Sequence, residues 1–72
     1  MKSYEIAIYN RDVRKLVAEG RRHRDLADAW AETHYIEVKA KSQQEARAKV
    51  ARRYPPENGY VIEEVIAEKF AD

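Results

Sequence analysis

The sequence predicts a small α+β domain in which a three-stranded mixed sheet has its helices packed on one face. Residues 4–9 and 34–40 alternate apolar and polar side chains, as half-buried strands do, and residues 60–67 are rich in β-branched side chains. Residues 42–53 carry the signals of a capped helix. The element order, β-α-(α)-β-α-β, predicts a split βαβ arrangement with the first strand between the other two.

The length and composition limit the classes of protein to consider. With 72 residues, we expect a single domain over 1–72 with one small core. The chain has no cysteine, which excludes disulfides, zinc-thiolate sites and thiol nucleophiles. No segment of the sequence approaches the ~20 apolar residues of a membrane span, and the polar N terminus lacks the features of a signal peptide. We therefore expect a soluble, cytoplasmic protein.

The first strand, 4–9, has Tyr4, Ile6 and Ile8 on one side and Glu5, Ala7 and Tyr9 on the other. After it, Asn10 is a favourable N-cap, and apolar residues at helical spacing predict an amphipathic helix over 11–19. Gly20 is suited to end that helix in a left-handed conformation.

A second short helix is predicted over 25–33, with Leu26, Ala29 and Trp30 on its apolar side. The alternative is one continuous helix over 12–32 with Gly20 inside it, because an internal glycine costs only about 1 kcal/mol. The sequence leaves the choice between one helix and two open.

The next segments form a βα unit. The strand 34–40 has Ile36, Val38 and Ala40 on one side and Tyr35, Glu37 and Lys39 on the other. Ser42 and Glu45 form a capping box, in which the hydroxyl accepts from a backbone amide and the carboxylate reaches back. The helix ends near Arg53, because Pro55 disfavours the α conformation for the residue before it.

A Pro-Pro-Glu-Asn-Gly turn follows the helix, with Asn58 and Gly59 suited to positive φ. The last strand, 60–67, is interrupted by the adjacent Glu63 and Glu64, which break strict alternation. We expect a β-bulge there. The alternative is that the strand gives way to a terminal helical turn that carries Phe70.

The net charge of +1 conceals a segregation of charge along the chain. Residues 1–24 hold seven Lys or Arg against three Asp or Glu, and residues 39–53 hold six against one. Residues 25–38 hold four acidic side chains and no basic one, and residues 54–72 hold five against one. This pattern produces either one basic and one acidic face or ion pairs that neutralise neighbouring elements.

The favoured function is a non-enzymatic protein-interaction module that self-associates through an open sheet face or edge. Helices on one side of a three-stranded sheet leave the other side and both edges uncovered. The sequence alone does not establish which face is open. The partner is another protein or a second copy, and the candidate interaction residues are Tyr9, Tyr35, Glu37, Lys39 and Trp30.

The alternative function is the binding of single-stranded nucleic acid. Tyr9, Tyr35 and Tyr60 on an open sheet would stack on bases, at about 1 to 3 kcal/mol for each base. The candidate phosphate contacts are Arg21, Arg22, Arg24, Lys41, Arg47, Lys49, Arg52 and Arg53. Either function predicts no small-molecule substrate.

The residue pattern does not indicate catalysis, a cofactor or a metal. His23 and His34 lack a third ligand at a suitable spacing, so His34 is interpreted as a hydrogen-bonded polar residue and His23 as a solvated one. Glu63 and Glu64 point to opposite faces of a regular strand, which makes them a poor acid/base pair unless the bulge realigns them. We therefore expect no catalytic, cofactor or metal-binding residue.

Overall fold

A computed structural model gives the structure of the chain and describes residues 1–68. The strands and helices are β1 (Lys2–Asn10), α1 (Arg11–Ala18), β2 (His34–Ala40), α2 (Gln43–Arg53) and β3 (Tyr60–Ala67), with two short 3₁₀ turns at Asp28–Ala31 and Pro56–Asn58. This is the predicted α+β class. Within residues 1–68, every helix is too short or too polar to cross a membrane.

The strand order is β2-β1-β3, with β1 antiparallel to both neighbours. The two outer strands therefore run in the same direction on either side of an antiparallel centre. Because both hydrogen-bonded ladders are antiparallel, the sheet is antiparallel and not mixed, which corrects that part of the prediction. The connection from β2 through α2 to β3 passes over β1, which is the predicted split βαβ arrangement.

The core lies between the sheet and α2. Its fully buried members are Tyr4, Ile6, Ile8, Ala40, Ala46 and Val50, and the partly buried Trp30, Ile36, Val38, Tyr54, Tyr60, Ile62 and Val65 pack around them. Every second residue of β1 therefore faces α2, as the alternation predicts. α2 contacts all three strands, whereas α1 contacts mainly the first 3₁₀ turn and reaches β1 and β3 at one end of the sheet.

The region between β1 and β2 contains one α-helix and one 3₁₀ turn, so the predicted α-helix over 25–33 is wrong. Gly20 has φ +73° and follows the end of α1, which excludes the continuous helix over 12–32. Ala27 is extended, and the turn after it spans only Asp28–Ala31. Helices of this length are marginal without tertiary support, so here packing selects a single turn.

The cap of α2 differs from the predicted box in one contact. The Ser42 hydroxyl accepts from the Glu45 amide at 3.1 Å, as expected. The Glu45 carboxylate accepts from the Lys41 amide at 2.7 Å, one residue before the amide that a standard box uses. The helix ends at Arg53, two residues before Pro55, as predicted.

The turn after α2 has positive φ at one of the two predicted positions. Gly59 adopts φ +96°, whereas non-glycine residues of the described chain, Asn58 included, all keep negative φ. Asn58 instead ends the 3₁₀ turn, whose geometry requires negative φ.

The predicted bulge is present in β3. Ile8 pairs with Ile62 and Ala7 pairs with Glu64, so Glu63 is the extra residue. The strand then continues in regular pairing to Ala67, which pairs with Tyr4. Phe70, on which the alternative of a terminal helical turn depended, lies outside the described residues.

Candidate interaction surface

We call the side of the sheet that is turned away from α2 the open face. Its strand residues are Ser3, Glu5, Ala7 and Tyr9 of β1, Tyr35, Glu37 and Lys39 of β2, and Val61, Glu64 and Ile66 of β3. Tyr35 is 61% exposed, the most exposed aromatic residue of the described chain, and Glu37 and Lys39 beside it are also exposed. Three of the five predicted interaction residues therefore lie together on accessible surface.

Tyr9 shares the open face, but its ring is partly covered. The Arg14 guanidinium of α1 lies over the ring, 3.6 Å from the ring centre, and its Nε donates to the Ala31 carbonyl at 2.7 Å. This cation–π contact joins α1, the first 3₁₀ turn and β1. Tyr9 is consequently half-buried, with one ring face already occupied.

Carboxylates crowd the part of the open face away from Tyr9. Glu5 and Glu37 are direct cross-strand partners, an arrangement that is destabilising for like charges. The Glu68 amide donates to the Ser3 carbonyl at 3.0 Å, which brings the chain after β3 alongside the same part of β1.

Glu68 has an unusual environment at this position. One of its carboxylate oxygens is buried and has no hydrogen-bond partner among the described residues. Burial raises its pKa above 4.5, the side-chain interaction with Glu37 and the charges of Glu37 and Glu5 raise it further, and the charge of Lys39 lowers it. The open face therefore concentrates negative charge.

The bulge residue, Glu63, accepts a hydrogen bond from the start of β2. The Thr33 hydroxyl donates to the Glu63 carboxylate at 2.6 Å, across the chain from the start of β2. Glu64 stays exposed beside Ala7 on the open face. The two adjacent glutamates thus have different partners, and this geometry gives no acid/base pair.

Trp30 lies on the core side of the sheet and not on the open face. Its ring centre is 4.4 Å from that of His34, 5.4 Å from that of Tyr54 and 5.2 Å from that of Tyr60. Aromatic pairs at such separations contribute about 0.5 to 1.5 kcal/mol each beyond burial. Trp30 therefore packs in the structure, and the open face lacks this predicted member.

The three tyrosines of the proposed base-stacking platform are not assembled on one surface. Tyr35 is exposed, Tyr9 is covered by Arg14, and Tyr60 belongs to the aromatic cluster on the core side. Burial, followed by the neighbouring Tyr54, raises the pKa of Tyr60 above 10.0. A row of stacking rings on the sheet is therefore absent among the strands that the structure describes.

The predicted phosphate contacts also lie away from Tyr35. Arg21, Arg22 and Arg24 are exposed in the segment after α1, and Lys41, Arg47, Arg52 and Arg53 are exposed on or next to α2. The half-buried Lys49 uses its Nζ to donate to the Lys39 carbonyl at 2.7 Å, on the outer strand β2. We call Lys41, Arg47, Lys49, Arg52 and Arg53 the basic helix surface.

The basic helix surface and the open face approach each other at the β2 edge, where Glu37 and Lys39 line one cavity with Lys49 and Arg53. Within residues 1–68, two ion pairs are formed, Arg11 with Asp12 at 3.8 Å and Arg21 with Glu19 at 3.4 Å. Both lie within the first charge block. Between blocks, the charge of Lys39 lowers the pKa of Glu68 and so partly offsets the effect of burial and of the neighbouring carboxylates. The described chain therefore combines exposed charged surfaces with partial neutralisation beside β2.

The two histidines have structural roles. His34 stacks on Trp30 and its Nε2 contacts the Ala29 carbonyl at 3.0 Å, which confirms the prediction of a hydrogen-bonded polar residue. His23 is half-buried, and its Nδ1 accepts from the amides of Asp25 and Leu26 at 3.0 Å each, so the prediction of a solvated side chain is wrong. Among the described residues, no three potential ligands are grouped to hold a metal.

The sequence prediction of the interaction surface omitted three of its acidic residues. Glu5 was assigned to the side of Tyr9 by alternation but was not linked to function. Glu64 and Glu68 were missed because the bulge shifts the phase of β3, which periodicity does not reveal. One signal could have linked Glu5 to this surface. If β1 is assumed to pair with β2, Glu5 lies directly opposite Glu37.

Comparisons of the chain with protein-family models, curated proteins and solved structures give no significant match.

Proposed function

We propose that this chain is a non-enzymatic protein-interaction module whose open face binds a protein surface rich in lysine and arginine. The observation that carries the proposal is the set of carboxylates around Tyr35 that have no ion pair among residues 1–68. These carboxylates repel one another in the unbound molecule, and a partner with the opposite charge reduces that repulsion.

The chemistry of the open face suits a cationic partner. Glu37 and Glu68 attract ammonium and guanidinium groups, and electrostatic complementarity of this kind mainly sets specificity and the association rate. The exposed Tyr35 offers an aromatic surface over which a lysine or arginine side chain can lie. Aromatic residues of this type are enriched at the centres of protein interfaces.

Nucleic acid is less well matched to this face. A phosphate backbone would approach Glu5, Glu37 and Glu68, and like charges repel. One exposed tyrosine replaces the series of rings that single-strand binding uses. Electrostatics and stacking therefore both favour a protein partner.

An oligolysine peptide tests the proposal. It is titrated into the isotope-labelled protein at low ionic strength, and NMR chemical shifts report which backbone amides respond. We expect the shifts to centre on Tyr35 and Glu37. The double variant Glu37→Gln/Glu68→Gln should bind about tenfold more weakly, because two of the attracting charges are removed.

The matched control is Asp25→Asn/Glu57→Gln, which removes two exposed carboxylates away from the open face. It should bind oligolysine nearly as well as the wild type. Equal losses in the two double variants would mean that peptide binding reports net charge only, and the proposal would be wrong. If an oligothymidine binds at Tyr35 more tightly than oligolysine does, the open face binds nucleic acid and not a cationic protein.

A further inference from the structure

We infer that the cationic surface which the open face binds is the basic helix surface of a second copy of this chain. This inference rests on the proposed function and names its partner. One molecule then contributes its open face and the next contributes α2, so the contact is heterologous and repeats from copy to copy.

Charge complementarity within the molecule is the first argument. The basic helix surface carries five cations, and Glu45, the acidic side chain of α2, is engaged with the Lys41 amide. Among residues 1–68, the ion pairs leave both this surface and the open face unneutralised. Stacking the open face of one copy on α2 of another brings the two opposite charges together without any change in either fold.

A symmetric contact between two open faces is disfavoured by the same charges. In a two-fold arrangement the carboxylates of Glu5, Glu37 and Glu68 would meet the same set on the partner. The pKa of Glu68 is already raised, first by burial and then by Glu37 and Glu5. Bringing a second set of carboxylates close would add like-charge repulsion, so face-to-face pairing of the two copies is not the arrangement that the geometry favours.

Both sheet edges carry features that oppose strand pairing. On β2, the Lys49 ammonium donates to the Lys39 carbonyl and so places a positive charge at that edge. On β3, the bulge at Glu63 interrupts regular pairing and places two adjacent glutamates in the edge strand. Edge charges and bulges are common protections against edge-to-edge association. The open face therefore remains the better surface for self-association.

The α2 helix is short enough to lie within the length of the open face. With 11 residues, α2 is about 16 Å long. The strands of the open face, 7 to 9 residues each, extend for about 23 to 30 Å. A helix laid on a three-stranded face buries less than the roughly 800 Å² per partner of a standard stable interface. The association is therefore weak, and it is measured at high protein concentration and low salt.

Sedimentation velocity or light scattering on the full chain measures the association. The wild type should self-associate at high micromolar concentration, and salt should weaken the association by screening the charges. The variant Arg47→Glu/Arg52→Glu should weaken the association at least about tenfold. Its matched control, Arg21→Glu/Arg22→Glu, changes the net charge by the same amount outside α2 and should associate much more strongly than the α2 variant.

A charge exchange tests whether the two surfaces meet each other. The variant Glu37→Lys/Glu68→Lys has two basic surfaces, and Arg47→Glu/Arg52→Glu has two acidic ones, so each alone should be monomeric. Mixed together, each variant offers the charge that the other lacks, and association should return. Thermal melts establish that each variant folds. If the α2 variant does not fold, Arg52→Glu/Arg53→Glu, at two exposed positions of the same helix, replaces it and keeps the reversed charge.

Three results would overturn the inference: a wild-type monomer under all these conditions, undiminished association of the α2 variant, or a mixture that stays monomeric. These results are separable from a failure of the proposed function. If oligolysine binds the open face while the wild type stays monomeric, the face binds cationic protein but the partner is not a second copy. If the α2 variant still associates and the face variant does not, the copies meet through the open face in another arrangement.

Discussion

The side chain of Asn10 connects the start of α1 to the turn before β3. Its amide nitrogen donates to the Asn58 carbonyl at 3.0 Å, and its oxygen accepts from the amides of Asp12 and Val13 at 3.0 and 3.1 Å. Among the polar residues of the described chain, only Asn10 is fully buried. One side chain thus caps a helix and holds a turn that is 48 residues away in sequence.

Asn10→Ala should reduce the free energy of unfolding by about 1 to 3.5 kcal/mol, since loss of a cap costs about 0.5 to 2 and loss of the part-buried hydrogen bond to Asn58 about 0.5 to 1.5. Ser42→Ala, the matched variant at the exposed cap of α2, should cost about 0.5 to 1 kcal/mol, because water replaces its hydrogen bond. Urea unfolding measures both. Equal costs would show that the bond to Asn58 contributes nothing.

Gly59→Ala should destabilise the protein by more than Gly20→Ala. Both glycines have positive φ, which costs a residue with a Cβ about 1 to 2 kcal/mol. A Cβ at Gly59 would also lie 2.9 Å from the Asn10 side-chain oxygen and would meet the Asp12 carboxylate, whereas one at Gly20 meets no atom within 4 Å. Thermal melts compare the two variants. A larger loss for Gly20→Ala would contradict the tight approach at Gly59.

Val50→Asp should abolish cooperative unfolding. Val50 is 2% exposed in the core between α2 and the sheet, and an unpaired buried carboxylate costs several kcal/mol in a domain with little stability to lose. Ala48→Asp, on the exposed side of the same helix, should cost under about 1 kcal/mol from helix propensity. A cooperative melt of Val50→Asp, followed by circular dichroism, would mean that this helix face is wrongly assigned.

Glu68→Gln should stabilise the protein at neutral pH. The folded pKa of Glu68 is raised above 4.5, so the folded chain binds its proton more tightly than the unfolded chain does. This contribution to stability is fully present below pH 4.5 and is lost as the pH rises through the raised pKa. The melting temperature of the variant should therefore exceed that of the wild type at pH 7, with the difference shrinking at acidic pH.

Glu57→Gln is the control for this prediction, because it removes an exposed carboxylate elsewhere with the same change in net charge. Its stability difference from the wild type should vary less with pH. A gain for Glu68→Gln that is as large below pH 4.5 as at pH 7 would contradict the repulsion among Glu5, Glu37 and Glu68.

Local sequence signals predicted the strands and caps because those signals act over a few residues. Alternation located β1 and β2, the Ser42 hydroxyl and Pro55 bounded α2, and the paired glutamates located the bulge. The region 25–33 failed because its form is decided by distant contacts. Trp30 packs on Tyr54 and Tyr60, which are more than twenty residues away.

The interaction surface was predictable only where strand periodicity stayed regular. Tyr35, Glu37 and Lys39 follow from the alternation of β2 and lie on the open face as a group. Tyr60 was misplaced because the first residue of β3 pairs with Asn10, whose side chain faces inward. The cover on Tyr9 comes from Arg14 on another element, and no periodic pattern encodes that contact.

The bulge also determines where β3 tolerates the deletion of a residue. On one side of it Ile8 pairs with Ile62, and on the other Ala7 pairs with Glu64 and Ile6 with Val65. Deletion of one of the two adjacent glutamates removes the extra residue, and it leaves the two inward pairs and the open-face pairing of Ala7 with a glutamate as they are. The additional glutamate therefore adds nothing to the interior and serves the surface alone, where it accepts from Thr33.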